Sequence, residues 1–465
     1  MKTSRELAVR IVHRITKEQG YANIVLDTEL RQAPHLDLRD RALTTELVYG
    51  VIRWQKTLDW YLDQVCKKPM RTTNLWLQSI LRIGVYQLLM LDKIPASAAI
   101  NESVKLAGKY SRQANLPART AKGFVNGVLR QLDRSRATLS SPATLKKMSR
   151  RLAVEYSYPE WLISRWLRRL GEQETRKACL INNQPPPLTL RVNTLKLSLA
   201  DLQQDLDSHV VTVSPLPEEL PGVIISGVSV PVTELPCYSD GACTAQNASS
   251  MLIAHILDPQ PGENVLEACA GSGTKTTHIG ELMKNRGSIT AVDLHEPKLR
   301  RLRENCARWG VSIAQTFCSD MTRTKEVPGY RQQGRVGFDR VLVDAPCSGL
   351  GVLRKHPETK WTRAERDIST LQQLQLQLLL NGANFFPSTG GILVYSTCTT
   401  EPEENQEVIA EFLQVATGFR IESLSEHIPP SLHGCVTPEG FLCIDPPQEM
   451  FDGFFCAKLS SLKER

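Results

Sequence analysis

At 465 residues the chain is too long for one hydrophobic core, and two or three domains are expected. No apolar run approaches the ~20 residues of a membrane span, and Met1-Lys-Thr-Ser-Arg-Glu6 leads into an amphipathic pattern, not an apolar signal core, so a cytoplasmic protein is expected. The net charge of +7 is unevenly spread: residues 1–150 carry 26 Lys and Arg against 12 Asp and Glu, a balance of +14 that leaves −7 for the other 315 residues, and a basic module on a slightly acidic body points to a polyanion partner.

Residues 3 to about 135 read as helix throughout. Thr3-x-x-Glu6 is a capping box. Leu7, Ile11 and Ile15 then recur at helical spacing, as do Leu43, Leu47 and Val51, and Leu77, Leu81, Val85 and Leu88. Pro95 opens a further helix with Ile100, Val104 and Leu106, and Phe124, Val125, Val128 and Leu129 mark another. Short helices separated by Pro and Gly breaks make an all-α bundle. The stretch Ile94-Pro-Ala-Ser-Ala-Ala-Ile-Asn-Glu-Ser-Val-Lys-Leu-Ala and the stretch Lys122-Gly-Phe-Val-Asn-Gly-Val-Leu-Arg130 resemble NusB-type RNA-binding domains. That resemblance, not the helical period, implies RNA binding.

The end of this bundle, with a polar, Ser-rich linker over 136–150, gives way to a different texture. Tyr158-Pro-Glu-Trp-Leu-Ile-Ser-Arg-Trp166 is an amphipathic helix, Asn182-Asn-Gln-Pro-Pro-Pro187 breaks the chain, and Leu188–Asn193 and Val223–Ser226 read as strands. Residues 151–240 therefore form a small α+β subdomain. From 241 to 465, strands alternate with helices: Val265–Cys269, a helix over Lys275–Lys284, Ser288–Val292, a helix over Glu296–Trp309, Ser312–Cys318 and Phe338–Val343. A long helix capped by Thr362-x-x-Glu365, the strand Gly391–Tyr395, a helix capped by Thr400-x-x-Glu403 and a final strand over Asp452–Leu459 complete a doubly wound α/β domain. The five cations Lys298, Arg300, Arg301, Arg303 and Arg308 on one of its helices read as a solvated face.

Within that domain, strand, small-residue loop, helix, strand and acid follow in order from Val265 to Asp293. This is the pattern of a nucleotide-type pocket at the carboxyl end of a parallel sheet. A dinucleotide fingerprint would need Gly where Thr276 stands, and the two glycines are not spaced as a phosphate-binding P-loop. An acid four residues ahead of Gly-x-Gly (Glu267, then Gly271 and Gly273) suits S-adenosylmethionine, which carries an adenosine but no phosphate. Later strands end at Asp293, Asp320, Asp344 with Cys347, and Cys398, so these groups are expected to meet in one crevice. The chain has twelve cysteines and none in Cys-x-x-Cys spacing, which argues against zinc, any other metal or a disulfide framework. Several, Cys269, Cys318 and Cys456 among them, fall in apolar runs and read as buried thiols.

Two cysteines beside an adenosine pocket suggest covalent catalysis. Cytosine C5 is a poor nucleophile until a thiolate adds to C6 and breaks aromaticity. Such a reaction needs a nucleophilic Cys, an acid near N3 and N4 and a proton acceptor; Cys398, Asp344 and Cys347 are the candidates. The segments Asp344-Ala-Pro-Cys-Ser, Tyr395-Ser-Thr-Cys-Thr-Thr-Glu-Pro-Glu-Glu-Asn405 and Asp452-Gly-Phe-Phe resemble the RNA 5-methylcytosine methyltransferases. With the NusB-like region in front, the whole chain resembles the bacterial Sun/Fmu branch, which methylates 16S ribosomal RNA. The resemblance implies a class I, Rossmann-like methyltransferase domain that uses S-adenosylmethionine. It makes Cys398 the nucleophile and gives Cys347 a part in product release. Cofactor contacts then fall on Cys269, Ala270, Gly271, Ser272, Gly273, Thr274, Lys275, Asp293, Asp320 and Asp344.

The chain departs from the family in the cofactor loop, where the usual Cys-Ala-Ala-Pro-Gly-Gly-Lys-Thr reads Cys269-Ala-Gly-Ser-Gly-Thr-Lys-Thr276. A positive φ at Thr274 would strain it, and Gly271 is the residue that could move the permissive position. The usual Gln-Asp-x-Ser-Ser reads Gln246-Asn-Ala-Ser-Ser, one charge short. The helix expected near Glu401 could favour a Cys398 thiolate. A tRNA substrate, or a non-catalytic RNA-binding or assembly factor that has kept the fold, are the competing readings. A monomer is expected.

Overall fold

The computed structural model describes residues 2–207, 212–216, 220–227, 231–327, 337–387 and 390–461. They form two units, Met1–Gln184 with Leu353–Glu365, and Pro185–Val352 with Arg366–Arg465. Among the described residues no helix is long and apolar enough to cross a membrane.

The first unit is helical. Its helices are α1 (Ser4–Glu18), α2 (Ala22–Arg31), α3 (Leu38–Arg53), α4 (Gln55–Val65), α5 (Leu75–Met90), α6 (Ala96–Lys109), α7 (Ala118–Ser135), α8 (Met148–Glu155) and α9 (Glu160–Asn182). Thr3 caps α1 by accepting the Glu6 amide at 3.3 Å, but Glu6 does not reach back. Its carboxylate instead accepts the Tyr110 hydroxyl at 2.9 Å and the Lys109 ammonium at 2.8 Å, so the capping box is half formed and its acid ties α1 to α6. The apolar stripes read from the sequence, Leu7, Ile11 and Ile15 with Leu47, Val51, Leu77, Leu81 and Val85, pack into one core. The Ser-rich stretch after α7 is held in part: Ser140 donates its amide to Gln64 at 2.7 Å, and Pro142 is buried.

The Leu353–Glu365 segment belongs to this helical unit although it lies far along the chain. Glu358 accepts the Ala22 amide at 3.1 Å, and Trp361 donates to the Ile52 carbonyl at 2.8 Å. Lys360 is buried; its ammonium donates to Asn183 at 2.7 Å, to Ser157 O at 3.2 Å and to Arg53 O at 3.4 Å, and lies 3.7 Å from the Tyr158 ring centre.

The second unit begins with a four-stranded antiparallel sheet, β1 (Leu188–Val192), β2 (Thr212–Pro215), β3 (Gly222–Ser226) and β4 (Cys243–Ala245), in the order β2-β3-β1-β4. α10 (Leu199–Asp207) and the short α11 (Pro236–Ser239) accompany it. The main sheet then takes β5 (Asn264–Ala268), β6 (Ser288–Asp293), β7 (Ala314–Cys318), β8 (Arg340–Asp344), β9 (Ile392–Thr397), β10 (Phe419–Glu422), β11 (Leu442–Ile444) and β12 (Phe454–Ser461). Their order is β10-β12-β9-β8-β5-β6-β7, with β11 on β12. β5 to β9 are parallel; β12 runs against them and pairs antiparallel with β9, β10 and β11. Around this sheet lie α12 (Ala248–Leu257), α13 (Thr274–Leu282), α14 (Glu296–Trp309), α16 (Arg366–Ala383) and α17 (Gln406–Val415), while α15 (Thr359–Thr362) sits in the first unit.

Strand alternation sorts the core. Val265, Leu342 and Val394 face Met251, Leu252 and Ile279 of α12 and α13, whereas Leu266, Val341, Val343 and Leu393 face Leu378, Leu379, Ile409 and Phe412 of α16 and α17. Both faces are covered, which is why these strands read as unbroken apolar runs.

Two expected caps are not made. Thr362 ends α15 and donates to the Glu358 carbonyl at 3.4 Å, and the next helix opens only at Arg366. Thr400 likewise precedes a single 3-10 turn, Pro402–Glu404, and α17 starts at Gln406. The helix expected near Glu401 is therefore only a 3-10 turn, with the α-helix opening beyond it at Gln406. Cys318 is exposed, donating to Leu294 O at 3.4 Å, because it sits at the very end of β7. Cys456 is buried and Cys269 partly so.

Candidate active site

The sheet order places β5 between β6 and β8, so the chain turns to opposite sides after β5, and the carboxyl end of this switch is where α/β folds bind ligands. The loop after β5 folds back on itself: Ala270 donates to Val292 O at 2.9 Å and Gly273 donates to Ala270 O at 3.2 Å. Three residues here have positive φ: Cys269 (61°), Gly271 (61°) and Gly273 (85°). Thr274 does not; it opens α13, so the strain expected there is absent, and the left-handed positions fall on the two glycines and on Cys269. At Gly273 an added Cβ would come within 2.5 Å of Leu302, whereas above Gly271 the space is open.

Asp293, at the end of β6, is almost wholly buried and accepts the Gly271 amide on one oxygen and the His295 amide on the other, both at 2.9 Å. Lys298 lies 3.7 Å from it. Glu267, on β5 beneath the loop, is buried; one carboxyl oxygen accepts the Thr276 hydroxyl at 2.5 Å and the other has no hydrogen-bond partner. Burial pushes its pKa up to about 7. The Cys269 thiol is raised to about 12, by burial first and then by Asp293 and Asp344, which leaves it a thiol that packs.

Lys275 and Asp344 form a close ion pair between the start of α13 and the end of β8. Burial opposes the Lys275 charge, but Asp344, Glu267 and Cys398 outweigh it and hold its pKa raised. The other Asp344 oxygen accepts the Ser396 hydroxyl at 2.8 Å. Cys347 and Cys398 meet with sulfurs 3.3 Å apart, each just past the end of its own strand. The Cys347 thiol sits well above the ordinary cysteine range, through its hydrogen bond with Cys398, then burial, then the charges of Cys398 and Glu404.

The structure thus joins the β5 loop to Asp293, Lys275 to Asp344, and Cys347 to Cys398. Asp320, next to Ser319 whose amide donates to Asp293 O at 3.2 Å, has a partly exposed carboxylate that accepts the Thr322 hydroxyl at 2.7 Å and amide at 2.9 Å, which hold its pKa down. Ser272 faces outward and presents its carbonyl to Asn305 at 2.9 Å. Asn247, the departure from the usual acid, caps α12 through the Ser249 amide at 2.7 Å and donates to Asp452 with its other side-chain atom, which an acid could not do. Sequence reasoning missed Ser396, Gln375 and Glu404, whose polar contacts here are long-range. Among the described residues no group of three His, Cys, Asp or Glu could hold a metal ion.

A doubly wound sheet with a glycine loop against a strand-end acid is the frame of a methyltransferase domain. Residues 254–460 match the family model described as 16S rRNA methyltransferase RsmB/F, residues 2–134 match the NusB family, and residues 158–233 match the ferredoxin-like domain of RsmF/B-like methyltransferases. The "Probable ribosomal RNA small subunit methyltransferase B" of Synechocystis sp. is 37% identical over 462 residues, 99% of each chain. The Bacillus subtilis protein of that description is 36% identical over 460 residues, 98% of this chain and 99% of its own. The crystal structure of PH0851 superposes with a TM-score of 0.82 over 99% of both chains at 26% identity. A methyltransferase homologue from Pyrococcus horikoshii superposes with a TM-score of 0.58 at 31% identity, over 68% of this chain and all of its own. The chain belongs to the RsmB/F family of 16S rRNA methyltransferases.

Proposed function

We propose that the protein methylates C5 of a cytosine in 16S ribosomal RNA, using S-adenosylmethionine and a covalent adduct between Cys398 and C6. The observation that carries this reading is the pair of sulfurs 3.3 Å apart at the ends of β8 and β9, beside the Lys275–Asp344 pair. A methylase acting on an exocyclic amine needs no thiol at all, and two at one crevice call for a task. The cofactor reading is supported by the donor set: an open face above Gly271 beside the Asp293 carboxylate suits an adenosine whose ribose hydroxyls donate, and Cys269–Lys275 would line it.

S-adenosylmethionine supplies an electrophilic methyl on a sulfonium and departs as the neutral thioether. The chain's own groups do the rest. The Cys398 thiolate adds to C6, and the displaced π pair makes C5 nucleophilic. Asp344, held by Lys275 and Ser396, would accept a hydrogen bond from the N4 amino group and so orient the base, while the Lys275 ammonium beside it would offset the negative charge that the attack develops at N3. After methyl transfer a base takes the C5 proton; the freed pair restores the C5–C6 double bond and expels Cys398. The resemblance to the RNA 5-methylcytosine methyltransferases gives the attack to Cys398 and a part in product release to Cys347, and a sulfur separation of 3.3 Å supports a joint role for the two thiols. The target base must leave its stack to reach the sulfurs, so a loop or single-stranded segment is the substrate. The basic helical bundle would hold phosphates without reading sequence.

The test uses purified protein, labelled S-adenosylmethionine and undermodified 16S RNA, with tRNA alongside. Label in 5-methylcytosine of 16S RNA, lost in Cys398→Ala and replaced by a trapped protein–RNA adduct in Cys347→Ala, is the expected result. Label in tRNA alone would move the substrate. No cofactor binding and no label in either RNA would leave an RNA-binding factor.

A further inference from the structure

We propose that Glu404 and Asn405 form a buried bracket that sets the distance between the two active-site sulfurs, making Glu404 a positioning residue for the reaction. Both residues are buried, and neither needs to touch substrate. Glu404 accepts the Ser348 amide at 2.7 Å on one oxygen and the Thr399 hydroxyl at 3.1 Å on the other. Ser348 follows Cys347 and Thr399 follows Cys398, so one carboxylate ties the two cysteine-bearing turns together. Their hydroxyls also meet directly, at 2.8 Å. Gln375 of α16 anchors the same carboxylate at 3.0 Å and, with the same amide group, the Pro346 carbonyl at 3.0 Å. The Tyr395 hydroxyl donates to the Glu404 carbonyl at 2.6 Å.

Asn405 secures Cys398 from both sides. Its carbonyl oxygen accepts the Thr397 hydroxyl at 2.6 Å, and its amide nitrogen donates to Thr399 O at 3.1 Å. The Gly351 amide then donates to Cys398 O at 3.0 Å, a further tie between the same two loops. A carboxylate suits this place because it offers acceptors on both sides, so an amide and a hydroxyl from separate strand ends converge on one rigid plane. In the sequence Glu403 reads as the acid of a capping box begun by Thr400, and no spacing marks Glu404.

The proposal rests on the roles given above to Cys347 and Cys398, so its test includes a readout that requires no methylation. Diamide accepts two electrons and two protons from a pair of thiols; the rate at which it links Cys347 to Cys398, followed by non-reducing peptide mass mapping, reports the sulfur separation. Glu404→Ala is expected to slow this cross-link at least about tenfold and to lower kcat by a similar factor, with the KM for S-adenosylmethionine little changed. Glu404→Gln, which accepts from Ser348 while donating to Thr399, restores most of both; Thr399→Val gives an intermediate cross-link rate. Should Glu404→Ala fail to fold, the Gln and Val variants decide the matter. A normal cross-link rate in Glu404→Ala or Thr399→Val overturns the proposal, as does a Glu404→Gln protein that loses kcat while its sulfurs still cross-link at the normal rate. Wild-type protein that cross-links readily but never methylates removes the enzymatic reading and leaves the bracket standing.

Discussion

Single residues in and beneath the β5 loop divide into those that shape backbone and those that set charge. Gly273 does the former. Its φ of 85° and the 2.5 Å approach of an added Cβ to Leu302 make Gly273→Ala strained and overpacked, and a loss of about 2–3 kcal/mol is expected in urea denaturation. Gly271→Ala meets open space, so its stability cost should stay near 1 kcal/mol while calorimetry records a larger loss of cofactor affinity. Glu267 sets charge. Its pKa rises from 4.5 to about 7 on folding, chiefly through burial. Between those values the folded protein keeps a proton that the unfolded chain releases. Stability from this group is therefore complete below about pH 4.5 and is lost as pH rises through about 7, by roughly 3 kcal/mol at most. Glu267→Gln should flatten that part of the pH–stability curve; an unchanged slope would place the titration elsewhere.

At the scale of elements, packing overrides local rules in particular places. Thr362 and Thr400 head acceptable capping boxes, yet each precedes a break, because Lys360 and Trp361 on one side and Glu404 and Asn405 on the other are drawn into buried hydrogen bonds that a continuing helix would not allow. Buried polar contacts also tie the small sheet of the second unit to the helices on the main sheet, Asn193 to the Trp309 carbonyl at 2.9 Å among them. Arg191 of β1 is buried, donates to Thr277 at 3.0 Å, lies 3.7 Å from Glu281 and stacks 4.2 Å from the Trp309 ring centre. Burial lowers its pKa to about 10, against the pull of Glu281. The helix that it grips is α13, which begins at the end of the β5 loop. In the helical unit, α7 carries Gly123 and Gly127 in its interior, and a Cβ at either meets nothing within 4 Å. Alanine at each should stabilise the helix by about 1 kcal/mol, read as a rise in denaturation midpoint; no rise would mean that α7 is not limited by its own backbone entropy.

For the whole molecule, the division of the chain does not follow its order. Leu353–Glu365 leaves the sheet domain between β8 and α16 and completes the helical unit, where Lys360 satisfies three acceptors in the interior. Lys360→Met would leave them without a donor. A cost of about 3 kcal/mol is expected, with amide exchange rising in α3 and α9 and unchanged in β5 and β8. Exchange that rises equally everywhere would show a single cooperative unit instead.

What the sequence determined by itself was whatever repeats locally or ends a local element. Helical and strand periods laid out a bundle, a small α+β piece and a doubly wound sheet. Apolar runs that stop at Asp293, Asp344, Cys347 and Cys398 marked the polar rim at the carboxyl end of the sheet, because a buried parallel strand must be apolar along its length and can turn polar only at its end. The tertiary structure alone decided which of those ends meet. Asp344 pairs with Lys275, the two sulfurs approach, and Asp320 accepts from Thr322 in its own turn. It also made Glu404 a buried anchor, and seated Lys360 among carbonyls more than 170 residues away in the chain. Those outcomes depend on desolvation and on hydrogen-bond partners distant in sequence, and neither leaves a period or a spacing to read.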